Sequence, residues 1–176
     1  PDPIRPLTVK PPLRILVMIS SPSDYPALDV EREWASLRQA VEPLERRGVV
    51  ALERLEEPTL LALQRQLRRN DYHIFHFIGH GGFDKTNQDG VLLLEDEAKR
   101  GRRVSGQDLG ALLHNHRPLR LAVLNACEGA RVSLTDPFAG TAQSLLQQDL
   151  PAVIAMQFEI SDDAAITFAE EFYSAL

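Results

Sequence analysis

The sequence YHIFHFIGHGG, residues 72–82, constrains the fold of this chain more than any other stretch. A short apolar run of this kind predicts a strand that is buried on both faces, as the central strands of a parallel sheet are. The glycines that follow predict a turn that carries an exposed histidine, His80. A matching run, RLAVLNACEG over residues 120–129, predicts a second buried strand that ends at Cys127, the only cysteine of the chain.

Predicted strands and helices alternate along the whole chain. Besides the strand before Cys127, apolar runs predict strands over residues 14–20, 49–55, 72–78 and 151–158, and apolar stripes predict helices over residues 28–47, 59–69, 105–114, 136–148 and from 161 onwards. Residues 91–95 and 102–104 predict a small β-hairpin insertion. This order predicts an α/β fold, namely a three-layer α/β/α sandwich with a mostly parallel central sheet and right-handed crossovers.

Local signals refine the boundaries of these elements. Pro43 is expected to kink the first helix or to end it early, and Gly48 is expected to cap its C-terminus. Residues 83–90 are polar and predict a loop, and the strand over residues 49–55 is expected near a sheet edge. Capping residues stand at the predicted starts of four further helices: Thr59, Ser105 with Asp108 three positions on, Asp136 before Pro137, and Ser161.

The composition limits the classes of protein to which the chain can belong. Its 176 residues suffice for one domain with its own core, and its hydrophobic fraction of 44% is ordinary for a soluble globular protein. The net charge of −6 argues against general binding to a nucleic-acid backbone, and no apolar run has the length of a bilayer span. For the same two reasons we expect neither nucleic acid nor a membrane as a partner. Since a single cysteine cannot form an internal disulfide, we expect a reducing cytoplasm.

Both ends of the sequence indicate a piece of a longer protein. Five of the first twelve residues are prolines, which predicts a stiff, extended linker remnant over residues 1–12. The domain itself is expected over residues 13–176. Its last predicted helix closes on Leu176 without a glycine stop or a polar tail.

Cys127 and His80 carry the chemistry that the sequence suggests. Both are predicted at the carboxyl ends of strands, where α/β sheets bind their ligands. A thiol with an ordinary pKa of about 8.5 is mostly protonated at neutral pH, and a nearby imidazole can remove its proton to give a nucleophile. The backbone N–H groups of Gly81 and Cys127 are candidate donors to the resulting oxyanion. The paired placement favours a cysteine–histidine hydrolase over a buried, inert cysteine and an unrelated turn histidine.

Other motifs that could occupy this position have less support. Residues 79–82, GHGG, do not extend to a dinucleotide-binding G-x-G-x-x-G, and the chain contains neither G-x-S-x-G nor a phosphate-binding P-loop. A zinc site made from His76, His80 and Cys127 lacks supporting ligand spacing, so neither a metal nor a cofactor is expected.

The remaining histidines have structural explanations. His76 lies within an apolar strand and is expected to be a core residue. His114 and His116 end a predicted helix, where a cationic side chain interacts favourably with the helix dipole.

The segments around the histidine and the cysteine resemble those of the caspase-like cysteine proteases. The signature of the caspases is Q-A-C-[RQG]-G with a histidine about 50 residues upstream. This chain has NACEG over residues 125–129, with Asn125 in place of Gln, Glu128 after the cysteine and His80 upstream. Within the clan, which includes separase and the metacaspases, the chain resembles the CHAT domain over residues 13–176. The segments that carry the resemblance are RILVMISSP (14–22), LDVEREW (28–34), HFIGHGG (76–82), VLNAC (123–127), AVIAMQF (152–158) and AAITFA (164–169).

The resemblance implies a caspase-like sandwich with a dyad of His80 and Cys127 that cleaves peptide bonds in a protein substrate. It also implies an upstream sensor or scaffold, such as tetratricopeptide (TPR) repeats, in signalling of a bacterial type. CHAT domains continue past Tyr173 with another strand–helix segment, so the resemblance implies a domain truncated at its C-terminal end. Metacaspases, which prefer basic residues, have an aspartate where this chain has Asn125, so their specificity is not carried over.

We therefore predict a regulated cysteine endopeptidase that can be inactive as an isolated domain. Its substrate pocket is expected to involve Asn125, Glu128 and Gln157, and residues 130–137 are expected to form a loop whose ordering gates activity. The alternative is a non-catalytic signalling module that uses the same fold to bind other proteins. The presence of both His80 and Cys127 favours the enzyme.

Overall fold

The core of the fold is a parallel sheet, of which the structure describes five strands. A computed structural model describes residues 9–126, 138–156, 167 and 171–172 of the chain. Within them the strands are β1 (Leu13–Ile19), β2 (Val50–Arg54), β3 (Ile74–Gly79), β4 (Gly81–Asp84), β5 (Asp89–Glu95), β6 (Gly101–Ser105), β7 (Leu121–Ala126) and β8 (Val153–Ala155), and the helices are α1 (Val30–Arg46), α2 (Leu60–Arg69), α3 (Gly106–His114) and α4 (Ala139–Gln147). The central sheet has the order β2-β1-β3-β7-β8, with every neighbouring pair parallel.

The continuous apolar runs form the middle of this sheet. All of β3 is buried, and Ile15–Ile19 of β1 are at most 4% exposed. Strands can be apolar on both sides because helices cover both faces of a parallel sheet. β2 lies at an edge, as predicted. The prediction of an α/β fold with a mostly parallel sheet is confirmed.

Helices on the two faces of the sheet give the sandwich its three layers. Side chains alternate along β3, so that Ile74 and Ile78 face one core and Phe75 and Phe77 face the other. The first core is completed by α1 through Leu37, Ala40, Val41 and Leu44. The second core is completed by α2, α3 and α4 through Leu63, Leu67, Leu109, Leu113 and Leu145.

A small antiparallel sheet of order β4-β5-β6 is attached to this sandwich. The predicted hairpin corresponds to β5 and β6 and is confirmed. The prediction of a loop over residues 83–90 is wrong at both ends, because β4 pairs with β5, which begins at Asp89. The sequence gives no strand signal for β4, since glycine is rare in strands. Its pairing is closed by a turn in which Asp84 accepts the backbone N–H groups of Thr86 and Asn87.

Pro43 does not end the first helix early, which was one of the two outcomes expected. α1 runs from Val30 to Arg46 with Pro43 inside it. Pro43 is exposed, so water can replace the intrahelical hydrogen bond that proline cannot donate. The helix ends as predicted at Gly48, whose φ of +70° is the left-handed conformation that glycine adopts at low cost.

The predicted helix starts are confirmed where the structure describes them. The Thr59 hydroxyl accepts the N–H of Ala62 at 3.1 Å, and the Ser105 hydroxyl accepts that of Asp108 at 3.0 Å. These bonds satisfy N–H groups that have no partner inside the helix.

Several predictions fall partly or wholly outside the described residues. These include the linker over residues 1–12 for the most part, the Asp136–Pro137 start of α4, and the Ser161 start of the last helix. Thr167 and residues 171–172 are helical, and Phe172 packs against the same core as α1. Among the described helices, none is both long and apolar enough to cross a membrane.

Candidate active site

The carboxyl ends of β1, β3 and β7 meet at one edge of the central sheet. β3 and β7 are paired from Ile74↔Leu121 to Gly79↔Ala126. His80 follows the last residue of β3, and position 127 follows the last residue of β7, so the two chain positions leave the sheet from paired residues. Parallel α/β sheets bind ligands at this edge.

His80 is buried at this edge, so the prediction of an exposed histidine is wrong. Its side chain is 0% exposed. The segment between β1 and α1 covers it: the ring centroid of Tyr25 is 5.9 Å from that of His80, and the carbonyl oxygen of Pro26 lies 2.8 Å from Nε2 of His80. Pro26 is 54 positions away in sequence, and local sequence patterns carry no information about such a contact.

The contact with Pro26 fixes the tautomer of the neutral His80 ring. A carbonyl oxygen only accepts hydrogen bonds, so Nε2 must carry the proton and donate it, and Nδ1 keeps its lone pair. Nδ1 is buried and has no hydrogen-bond partner within the described residues. An imidazole in this state is oriented as a general base, with its accepting nitrogen available to a proton donor.

The backbone N–H of Gly81 is not used by the small sheet. The carbonyl of His80 accepts the N–H of Leu93 at 3.0 Å, which makes these two residues a hydrogen-bonded pair of the antiparallel ladder. Hydrogen-bonded and non-hydrogen-bonded pairs alternate along an antiparallel ladder. Gly81 and Leu92, the next pair, are therefore not hydrogen-bonded to each other, and the N–H of Gly81 points away from β5. An oxyanion donor next to His80 requires an N–H that the small sheet leaves unused.

Asn125 is the one pocket candidate that the structure describes. It is paired with Ile78 near the ends of β7 and β3. Its Oδ1 atom is buried and has no hydrogen-bond partner among the described residues, so it is available to a donor at this edge. The nucleophile candidate Cys127 and the pocket candidates Glu128 and Gln157 lie outside the described residues.

In a comparison with models of protein families, the CHAT domain model matches residues 8–176, almost the whole chain. The chain belongs to the CHAT domain family. CHAT domains are related to the caspase-like proteases, and the resemblance seen in the sequence is confirmed. No curated protein gives a significant match to this CHAT domain.

One solved structure similar to this CHAT domain is the crystal structure of a response regulator protein from Burkholderia pseudomallei with a phosphorylated aspartic acid, calcium ion and citrate. The two chains are 16% identical, the match covers 92% of this chain and 71% of that chain, and the TM-score is 0.40. A TM-score of this size supports no inference about activity, so the site of the CHAT domain is judged from its own geometry.

The other histidines of the CHAT domain hold the fold together. His76 is a core residue, as predicted, and burial lowers its pKa to about 4. His116 is not the cationic partner of a helix end that was expected: its Nε2 accepts the backbone N–H of Tyr72 at 2.9 Å, and desolvation by burial lowers its pKa. His114 ends α3, and its Nδ1 lies 2.9 Å from the carbonyl oxygen of Gln148.

Tyr25 and Pro26 are the residues of the CHAT domain site that sequence reasoning missed. They belong to SPSDYP, residues 21–26, which the sequence identifies only as a turn. The position of this turn, directly after a buried strand at the ligand-binding edge, was the available signal. Within the described part of the chain, no group of three His, Cys, Asp or Glu side chains is arranged to hold a metal ion.

Proposed function

We propose that this CHAT domain is a regulated cysteine endopeptidase, with His80 as general base and acid and Cys127 as nucleophile. The observation that supports this most strongly is the 2.8 Å hydrogen bond between Nε2 of His80 and Pro26. It orients the ring and leaves a buried Nδ1 without a partner among the described residues. A buried acceptor of this kind is costly to the fold unless something else uses it.

The register of the sheet supports the pairing of His80 with Cys127. Adjacent strands lie about 4.8 Å apart, and Gly79 and Ala126 are opposite one another. One peptide unit, about 3.8 Å between Cα atoms, separates each of these from the proposed catalytic residue. The two residues therefore start from neighbouring points of one sheet edge.

The alternation of side chains supports the same pairing. In β3, Ile74 and Ile78 face the α1 core, and His80 continues their every-second-residue series. In β7, Leu121 and Val123 face the same core, and the series passes through Asn125 to Cys127. Because the period of a strand is two residues, both series lead to the same face of the sheet.

The proposed reaction begins with transfer of the Cys127 thiol proton to Nδ1 of His80. The thiolate attacks the carbonyl carbon of the scissile peptide bond, and the N–H groups of Gly81 and Cys127 stabilise the oxyanion. The ring is now an imidazolium whose Nε2–H still donates to Pro26, so it stays in place while Nδ1 returns the proton to the leaving amine. Water, activated by the same nitrogen, then hydrolyses the acyl-enzyme and releases the thiol.

The substrate is a protein or peptide whose side chain before the cleaved bond contacts Asn125, Glu128 and Gln157. The need for a reduced catalytic thiol supports a cytoplasmic location. An upstream sensor or repeat region in the longer protein controls its activity.

The rival is a non-catalytic caspase-like module that binds other proteins. An irreversible peptide probe that mimics an acyl substrate separates the two, applied to the full-length protein in its activated state. The enzyme predicts labelling of wild type, none of Cys127→Ala and much slower labelling of His80→Ala. The module predicts that Cys127 reacts with a small alkylating agent but not with the peptide probe, and that His80→Ala changes neither rate.

A further inference from the structure

We propose that the turn of the β5–β6 hairpin acts as a support for His80, with Asp24 as a positioning residue. Residues 21–28 are called the positioning segment and residues 96–101 the hairpin turn. The inference rests on the proposed function, because it assigns a role to residues that touch neither the substrate nor the reacting atoms. The chain of contacts runs from the hairpin turn to the positioning segment and from there to His80.

Three hydrogen bonds join the hairpin and the positioning segment. The carboxylate of Asp24 accepts the backbone N–H of Gly101 at 2.6 Å, and the N–H of Ser23 is donated to the carbonyl of Lys99 at 2.8 Å. A third bond runs from the N–H of Ser21 to Oε1 of Glu95 at 3.0 Å. In each bond the two partners are more than 70 positions apart in sequence; Asp24 and Gly101, for example, are 77 positions apart. These bonds fix the segment relative to the small sheet.

Packing reinforces this attachment. A Cβ atom on Gly101 would overlap Cε2 of Tyr25, so the ring lies directly on the glycine backbone. The same ring is 5.9 Å, centroid to centroid, from His80. Tyr25 therefore connects the hairpin turn to the imidazole by contact, in addition to the hydrogen bonds.

The hairpin turn is itself held in one conformation. Oδ1 of Asp96 accepts the backbone N–H groups of Ala98 and Arg100 at 2.8 and 2.9 Å. The N–H of Lys99, whose φ is +58°, is donated to the carbonyl of Asp96 at 3.0 Å. A turn with this many internal bonds presents the Lys99 carbonyl and the Gly101 N–H at fixed positions.

The positioning segment transmits its placement to Pro26 because its ends are tied together. The hydroxyl of Ser21 accepts the N–H of Leu28 at 3.0 Å, and the N–H of Tyr25 is donated to the carbonyl of Pro22 at 3.1 Å. The proline rings at 22 and 26 restrict the backbone further. Movement of Asp24 therefore displaces the Pro26 carbonyl, which is the group that selects the tautomer of His80.

The test compares three variants of the full-length protein. Asp24→Ala removes the acceptor for Gly101, Asp24→Asn keeps an acceptor oxygen, and Glu97→Ala is the matched control that removes an exposed carboxylate from the same hairpin turn. The nitrogen-15 resonances of the His80 ring report which nitrogen carries the proton, independently of catalysis. The rate at which a peptide probe labels Cys127 reports the consequence for the proposed chemistry.

We expect wild type and Glu97→Ala to hold the Nε2–H tautomer, and Asp24→Ala to show a mixture of the two tautomers. Loss of this one hydrogen bond is expected to slow labelling about fivefold, and Asp24→Asn should restore most of the rate. Gly101→Ala, which displaces Tyr25 instead, should give the same mixture; it decides the question if Asp24→Ala does not fold.

A single Nε2–H tautomer in both Asp24→Ala and Gly101→Ala would overturn the positioning role. So would an equal change in Glu97→Ala, since that would reflect charge rather than attachment. If the tautomer responds as expected while wild-type Cys127 resists the peptide probe, positioning stands and the endopeptidase proposal fails. The two results therefore judge the two proposals separately.

Discussion

The two ends of the central sheet hold histidines in opposite ways. At the amino end, Nδ1 of His73 accepts the backbone N–H of Arg14 at 3.0 Å, and Nε2 of His116 accepts that of Tyr72 at 2.9 Å. At the carboxyl end, His80 donates from Nε2 to a carbonyl oxygen and keeps an uncommitted Nδ1 within the described residues. The direction of the hydrogen bond, and not the residue type, separates a structural histidine from a candidate base.

The pKa values of the two histidines at the amino end agree with their role as hydrogen-bond acceptors. The pKa of His73 and that of His116 are both lowered, in each case first by desolvation. For both rings the neutral form is also the form that can accept the backbone N–H. These histidines therefore join strand and helix ends by acting as acceptors, and protonation would break the bonds that they make.

The largest expected effect is on the rate of peptide-probe labelling, when a histidine at the carboxyl end is replaced and compared with one at the amino end. His80→Gln should slow peptide-probe labelling of Cys127 about a thousandfold, the middle of the range for loss of a general base. His116→Leu should leave the labelling rate of the folded protein unchanged but lower the free energy of unfolding by about 2 kcal/mol, because the N–H of Tyr72 loses its buried acceptor. Labelling kinetics and urea unfolding of both variants measure the contrast. Equal effects of the two substitutions on labelling would remove the distinction.

The next effect is a loss of stability on acidification. The pKa of His76 is about 4 in the folded protein because of burial, against an ordinary value of 6.5. Between these values the unfolded chain binds more protons, so the free energy of unfolding must fall as pH decreases from about 6.5 to about 4, by about 3 kcal/mol for His76 alone. His73 and His116 act in the same direction. Urea unfolding across this window measures the slope.

His76→Leu should flatten that pH dependence, because it removes the group whose pKa burial lowers. Asp84 and Asp96 act mainly at lower pH. The pKa values of both are lowered below 3.8, mainly by backbone hydrogen bonds from Thr86 and Arg100 respectively, so most of the stability that they contribute is lost below pH 4. An unfolding free energy that stays constant between pH 6.5 and pH 4 would contradict the assignment of buried, neutral histidines.

A smaller effect tests the packing just before His80. A Cβ atom on Gly79 would lie 2.7 Å from Cζ of the buried Phe77 and 3.0 Å from the carbonyl oxygen of Ser20. Gly79→Ala should therefore lower the unfolding free energy by about 2 kcal/mol. Gly82→Ala is the matched control, because its Cβ would meet only Val91 at an ordinary 3.7 Å. Equal unfolding midpoints for the two variants would contradict this close approach.

Much of the sheet is predictable because its strands are buried on both faces and leave long apolar runs. β1 and β3 appear in the sequence almost as they appear in the fold. The predicted caps Thr59 and Ser105 are local, since each contacts a residue three positions on. β4 could not be predicted, because Gly81 and Gly82 have no strand preference and pair only when β5 is beside them. The continuation of α1 past Pro43 was not foreseen, because a rule about helix interiors does not account for a solvent-facing position.

The candidate site also has one part that the sequence predicts and one part that it does not. Gly81 and His80 stand out in the sequence by their place after a buried strand. Their environment does not, because Pro26 and Tyr25 reach His80 through a segment that other distant residues hold. Burial of the imidazole and the choice of its tautomer are tertiary properties, and these properties decide whether the ring can act as a base.

The central claim is that His80 takes the proton of Cys127, and the pH dependence of thiol alkylation tests it directly. These 176 residues contain one cysteine, so in this chain taken by itself any thiol reaction with iodoacetamide reports Cys127. In wild type the alkylation rate should rise with a midpoint below the ordinary thiol pKa of about 8.5, and in His80→Gln the midpoint should return to that value. The same midpoint in both proteins would contradict the account.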